Sequence, residues 1–183
     1  YLFTDKEIEK RKNRKFETDL IIAPTWNSSF YKLGCHVLLK NALVNNDISY
    51  KIRPHPMSFK KKEISLNELK ELNMPVDADI SINFFKYNFL ISDWSGIFIE
   101  FALIYKRNAF LLNTPKKILN KNYLKYDNQP VEITLRNKLA KTYEIDNTKG
   151  IIEEIKDSKK QFVENGKFTE DEKKIEILNK YFY

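Results

Sequence analysis

The sequence predicts an α/β chain: a mostly parallel sheet with helices on both faces. Four short apolar runs each finish in polar or turn residues, namely DLIIAPTW (Asp19 to Trp26), SYKIRPHP (Ser49 to Pro56), NFLISDWSG (Asn88 to Gly96) and NAFLLNTP (Asn108 to Pro115). Helix-patterned segments stand between these runs, and that alternation builds βαβ units. The 183 residues suit one domain and bury a sizeable core without staples.

In chain order, Thr4-Asp5-Lys6-Glu7 has the form of a capping box and opens a charged helix over residues 4 to 15. The first strand is expected at 19 to 24. Residues 35 to 45 (CHVLLKNALVN) carry apolar positions at helical spacing, and the second strand follows at 49 to 53. A second capping box, Ser65-Leu66-Asn67-Glu68, opens a short helix ending near Asn73. Another short helix is expected at 79 to 87, then a strand at 88 to 92, a helix at about 94 to 106 and a strand at 109 to 113. The helix stretch IFIEFALIYK is apolar on nearly every side, which predicts deep packing. Residues 116 to 146 read as irregular, with a strand near 140 to 145. Two amphipathic helices close the chain. One, at about 148 to 164, presents Ile151, Ile152, Ile155, Phe162 and Val163; the other starts from the capping box at Thr169 and presents Ile175, Leu178 and Phe182. This gives a single domain with a core at about 16–146 and a helical extension at about 147–183.

Lys and Arg number 32 against 25 Asp and Glu, a net charge of +7, which suggests an anionic partner only weakly. Helix-turn-helix, zinc-finger and RNP-like patterns are missing, so nucleic acid is not expected. Phosphorylated small molecules or an anionic membrane face account for the excess, as does a lysine-rich solvated surface. Cys35 is the single cysteine, which excludes an internal disulfide and fits a reducing compartment. No apolar run is long enough to span a membrane, and YLFTDKEIEK has no signal-peptide core, so a cytoplasmic location is expected. Cys/His metal spacing is missing and no metal is expected.

In an open parallel sheet, ligands bind outside the carboxyl ends of the strands. The four strand ends therefore point to one site. SDWSG is the strongest local signal. Asp93 is placed to cap the following helix, with Trp94, Ser95 and Gly96 in its first turn, where free N–H groups and the helix dipole suit a phosphate. Ordinary capping explains Asp93 alone, but not Ser and Gly following it at this edge. RPHP offers Arg53, a fork for phosphate oxygens, and His55, which can donate or accept a proton near neutrality. The loop APTWNSS supplies Thr25, Asn27, Ser28 and Ser29, equally readable as a turn rich in capping residues. His36 lies in an apolar pattern and reads as structural. Asn113 ends the fourth strand, and Glu100, an acid in an apolar helix, needs a partner such as a ribose hydroxyl, a Lys or a Tyr.

The blocks IIAPTW, RPHP and LISDWSGIFIEFA, followed by YKRNAFLLN, resemble the CDP-glycerol glycerophosphotransferase family of teichoic-acid type over residues 15 to 115. Asn88 and Asn108 depart from that pattern, as does the absence of a later arginine-glycine stretch. The resemblance implies the C-terminal, donor-binding half of a GT-B fold, with a Rossmann-like sheet. The acceptor-side N-terminal domain would then be absent from this chain. It further implies that His55 is the functional histidine and that Ser95 and Gly96 hold the donor diphosphate. The reading of the residues themselves adds Arg53 as catalytic, Ser92, Asp93 and Thr25 as further donor-phosphate residues, and Glu100 and Asn113 as meeting the ribose or base. The expected activity moves glycerol phosphate from CDP-glycerol to a polymer or lipid-linked cell-surface acceptor. The donor is a substrate, no further cofactor is implied, and peripheral contact with the inner face of the membrane is expected. Two alternatives stay open at this point. One is a GT-B glycosyltransferase using a nucleotide sugar for capsule or lipopolysaccharide; the other is a non-catalytic nucleotide-binding domain.

Overall fold

The computed structural model describes residues 18–27, 29–77, 84–105, 107–116, 130–165, 176–177 and 180. The helix expected at 4 to 15, the Ser28 hydroxyl, the side chains of Phe162 and Val163, and the capping box at Thr169 lie outside them.

Five strands, β1 (Thr18–Ile22), β2 (Tyr50–Ile52), β3 (Tyr87–Ser92), β4 (Asn108–Leu112) and β5 (Lys141–Tyr143), form one sheet in the order β2-β1-β3-β4-β5. Every pairing is parallel, with Ile22 opposite Ile52 on one side and Ile91 on the other. The chain is therefore a doubly wound, Rossmann-like α/β fold. After β1 it winds one way to β2 at the edge. From β3 it winds the other way through β4 to β5. The reversal falls between β1 and β3.

Residues alternating along the strands feed two cores. Leu20, Ile22, Ile52, Phe89, Ile91 and Phe110 point to one face, where they meet Leu39 and Leu43 of α1 (Cys35–Val44) and Ile151 and Ile155 of the last long helix. Ile21, Leu90, Ala109 and Leu111 point to the other and meet Phe98 and Phe101. Strands buried on both faces read as near-continuous apolar runs, which is why LIIA and NFLIS stood out in the sequence. Removing one such phenyl ring, Phe101 for example, costs about 3–5 kcal/mol.

The helices show why each starts where it does. Gly34 precedes α1 at φ +68°, a left-handed turn that glycine takes without strain. The Ser65–Glu68 box forms as expected: Glu68 N donates to Ser65 Oγ at 3.2 Å and Ser65 N to Glu68 Oε2 at 2.7 Å. It opens α3 (Leu66–Glu71). Between β2 and α3, the sequence reading missed the short helix α2 (Pro56–Lys60). Its signal was present, since proline at the first helical position has the right φ and gives up no needed N–H. Helix α4 runs from Ile97 to Leu103, shorter than expected. Glu100 faces solvent there, so the expected need for a buried partner does not arise; the apolar side is Phe98, Phe101 and Ala102.

The larger miss lies in the stretch read as irregular. Residues Val131–Leu139 form α5, with Leu135 and Leu139 one turn apart and buried beneath α4. Its high polar content masked a two-residue apolar seam. The expected strand near 140 to 145 is β5, and Thr148–Asn165 form α6, whose Ile151, Ile152 and Ile155 enter the first core. Of the helix expected at 79 to 87, the described part is a 3-10 turn at Phe84–Lys86 that leads directly into β3. Arg107, buried, donates to the carbonyls of Phe84, Phe85 and Tyr87 and so ties that turn to the start of β4.

His36 is buried on α1, its ring edge-on to Tyr31 at 5.3 Å. Burial lowers its pKa below the ordinary histidine value, with Glu68 offsetting part of the effect. The unfolded chain takes up this proton near pH 6.5 and the folded chain only at lower pH, so the folded state loses stability as pH falls below about 6.5. We expect the urea midpoint to drop on acidification from pH 7.5 to about 5.5, and His36→Gln to flatten that limb relative to wild type. Parallel acid limbs in the two proteins would remove His36 as the cause.

Candidate functional site

The reversal between β1 and β3 places two strand ends side by side, and two buried side chains fasten them. The Ser92 hydroxyl donates to the Ala23 carbonyl at 2.7 Å, while Asp93 Oδ1 accepts from the Thr25 N–H at 2.8 Å. Ala23 N donates to Ile91 O at 2.9 Å, and Arg53 N to Ile22 O at 2.8 Å, carrying the ladder one residue past each strand. Asp93 thus differs from its expected role. Instead of capping α4 it turns inward to the loop after β1, and Gly96 occupies the cap position with no side-chain bond. Ser95 Oγ accepts from Ile97 N at 3.4 Å.

The far side of the same turn is held by a residue that the sequence reading overlooked. Arg136, buried on α5, donates from Nη1 to the Asp93 carbonyl and from Nη2 to the Leu112 carbonyl, the latter at 2.8 Å. Its guanidinium also lies 4.0 Å from the Trp94 ring centroid. Trp94 Nε1 donates in turn to the Thr114 carbonyl at 2.6 Å. One arginine therefore braces the ends of β3 and β4. Burial pulls its pKa below the ordinary arginine value, and Asp93 opposes that pull.

Thr25, Ser92, Asp93, Ser95 and Gly96 are thus gathered at one place, but in two layers. Ser92 and Asp93 are fully buried and bonded to β1; Ser95 and Gly96 are half-buried at the surface of the crevice. Gly96 has φ −65°, a conformation open to any residue, and a Cβ there would meet only the Glu132 side chain, at 3.6 Å. Glu132 thus lies against Gly96, a neighbour supplied by the unforeseen α5. Lys116 lies over the Trp94 ring at 5.8 Å, an exposed cation at the same edge.

RPHP lies beside APTW. His55 is exposed and caps α2, its Nδ1 accepting from Met57 N at 3.1 Å, and its ring centroid is 6.2 Å from that of Trp26. An imidazole that accepts at Nδ1 carries its proton on Nε2, which makes His55 a donor there. The Arg53 guanidinium is 4.0 Å from the Asp77 carboxylate and 5.7 Å from the Phe84 ring centroid. Asp77 also takes Lys86 at 3.2 Å and the Tyr87 hydroxyl at 2.8 Å, so Arg53 belongs to a buried charge cluster under the edge strand. Asn113 and Glu100 do not join this group. The Asn113 amide donates to Glu144 at 2.8 Å beside β5, and Glu100 is exposed on α4.

Behind the crevice, Glu63 Oε1 accepts from Asn27 N at 2.6 Å, a second acid holding the loop after β1. The buried Tyr31 hydroxyl has no hydrogen-bond partner among the described residues. Its pKa is pushed well above the ordinary tyrosine range by burial first, then by Asp93 and Glu63. The Cys35 thiol is pushed up to about 11 by burial first, then by Asp93, so it stays protonated and unreactive at neutral pH. Among the described residues, the chemistry at this edge is hydrogen-bond donation and charge stabilisation, with Cys35 and Tyr31 both held in their protonated forms.

Compared with known proteins, the chain matches no family model, no curated sequence and no solved structure. The site therefore rests on its own geometry. No described helix is long and apolar enough to cross a membrane, and among the described residues no group of three or more His, Cys, Asp or Glu side chains is arranged to hold a metal.

Asp93 and Arg136 secure one turn from opposite sides. Asp93→Ala, which orphans the Thr25 N–H, and Arg136→Lys, which loses the planar fork, are each expected to cost about 1–3 kcal/mol in urea unfolding. Because the two act on the same backbone, the double variant should depart from additivity by at least about 0.5 kcal/mol. Strict additivity would mean that the two contacts stabilise separate parts of the fold.

Proposed function

We propose that this chain is the nucleotide-donor domain of a transferase that moves glycerol phosphate from CDP-glycerol to a polymer or lipid-linked acceptor. The observation that carries this reading is the Ser95–Gly96 turn: it stands at the strand-order reversal, the ligand position of doubly wound sheets, with APTW bonded to the same turn through Asp93 and RPHP one strand further out. The resemblance of those three blocks to the glycerophosphotransferase family names the chemistry.

In this reading the donor diphosphate lies across Ser95 and Gly96, with the Ser95 hydroxyl and the Lys116 ammonium opposing its charge. Glu132, against Gly96, accepts from sugar hydroxyls, a part assigned from sequence to Glu100. The acceptor hydroxyl attacks the glycerol-bearing phosphorus and loses its proton to solvent, a new P–O bond forms, and the P–O bond to CMP breaks. His55 Nε2–H donates to the departing phosphate, a polarity fixed by the Met57 N–H on Nδ1. Arg53 contributes positive charge at the same edge while paired with Asp77. Catalysis is then positioning and charge stabilisation, as in phosphoryl transfer generally. The acceptor side belongs to a second domain of the GT-B type, and contact with a membrane surface follows from a lipid-linked acceptor.

Calorimetric titration with CDP-glycerol, CDP, UDP and a UDP-sugar tests this. Cytidine-selective binding is expected, weakened by about tenfold, or 1.4 kcal/mol, in Ser95→Ala and in Lys116→Ala. Preference for UDP would assign the site to a sugar transferase. If none of these ligands bound, the fold would serve a purpose other than donor binding.

A further inference from the structure

The three lysines at the end of α2 have no part in the donor site, yet they stand close to it. Lys60, Lys61 and Lys62 are all exposed, and none has an ion pair among the described residues. The acids nearest in sequence are each bonded to a backbone N–H: Glu63 to that of Asn27, and Glu68, on the groove wall, to that of Ser65. The lysines are displayed on a fixed turn. Lys62 sits at φ +56°, and Lys61, Lys62 and Glu63 donate their N–H groups back to Met57, Phe59 and Ser58 at 2.8, 3.0 and 2.9 Å. Beside them a groove of about 710 Å³ runs between α2 and α3, lined by Phe59, Lys62, Ile64, Ser65, Leu66, Asn67 and Glu68, whose carboxylate is held in the Ser65 capping box. Leu66 is 56% exposed on its wall, an apolar side chain that the core does not claim. At about 1.5 Å per residue, the five residues of α2 put this turn within about 8 Å, along the helix axis, of the His55 end.

We propose that the Lys60–Lys62 turn and its groove are a docking surface for an anionic polymer. Its repeating phosphate or carboxylate groups sit on the three ammonium groups, and its linking units run over Phe59 and Leu66. Charge complementarity selects the sign of the partner. Shape selects a chain over a membrane: the surface is concave, is lined in part by Ser65 and Asn67, and offers one strongly exposed apolar side chain, too little to insert into a bilayer. The proposal rests on the transferase reading only in taking the polymer to be the acceptor, since polymer binding itself needs no nucleotide.

The test is fluorescence anisotropy of a labelled inorganic polyphosphate with the 183-residue chain and the triple variant Lys60→Gln, Lys61→Gln, Lys62→Gln. We expect the triple variant to bind at least about tenfold more weakly at 50 mM salt, and its slope of log affinity against log salt to fall by about two. Leu66→Gln should weaken binding less and leave the slope unchanged. Equal melting temperatures confirm that the exposed substitutions leave the fold intact. Wild-type affinity and slope in the triple variant would overturn the proposal. So would loss of binding to phosphatidylglycerol vesicles with polyphosphate binding retained, because the surface would then serve a bilayer. Titration of both proteins with CDP-glycerol separates the two readings: failure of both to bind nucleotide, with polyphosphate binding still lysine-dependent, sinks the donor reading and leaves the polymer surface standing.

Discussion

The fastening of β3 to β1 by Ser92 and Asp93 is the constraint on which the rest of this edge depends. Parallel strands are held by evenly spaced backbone bonds along their length, but nothing in a sheet fixes what happens where the strands run out. Here a hydroxyl and a carboxylate, both fully buried, extend the connection by two residues past the last ladder bond. A buried carboxylate is costly unless it is well bonded, so Asp93 commits its loop to one geometry. The position of Ser95, Gly96 and the whole start of α4 follows from it.

Arg136 acts on the same turn from the outside and solves a second problem. The carbonyls of Asp93 and Leu112 lie where β3 and β4 end. A single guanidinium satisfies both, and its flat face covers Trp94. Lysine has neither the fork nor the plane for this. Trp94 in turn donates to the Thr114 carbonyl, which ties the end of β3 to the chain beyond β4.

Much of this was legible in the sequence, and what was not has physical reasons. Parallel strands buried on both faces announce themselves as LIIA, NFLIS and AFLL, and the strand boundaries observed lie within two residues of those expected. The Ser65 capping box reads directly because its partners are three residues apart. Asp93 was misassigned because its partner, Thr25, is 68 residues away; a local rule saw a helix cap where a long-range bond wins. Arg136 and Glu132 were missed for the same reason, compounded by a helix whose mostly polar surface hides a seam of Leu135 and Leu139. The pairing of Arg53 with Asp77 was not legible, because Asp77 lies beyond α3, outside any motif window.

The crevice also sorts polarity by depth. Asp93 and Glu63 face inward onto the backbone N–H groups of residues 25 and 27, two donors of a single loop. Facing outward are His55 Nε2–H, the Ser95 hydroxyl and the Lys116 ammonium. An edge built this way stabilises itself with its acids and leaves its donors to solvent, which favours an incoming anion even though two carboxylates stand directly behind the surface. Their charge is partly answered by backbone dipoles and, for Asp93, by the nearby Arg136. Glu132 is the exception, an exposed acid beside Gly96. A carboxylate there repels a phosphate placed on top of it and attracts a hydroxyl, so the anion and the hydroxyl-bearing part of a ligand would take different sides of the α4 start. In the proposed donor reading, that asymmetry keeps the phosphate off Glu132 and turns hydroxyls toward it.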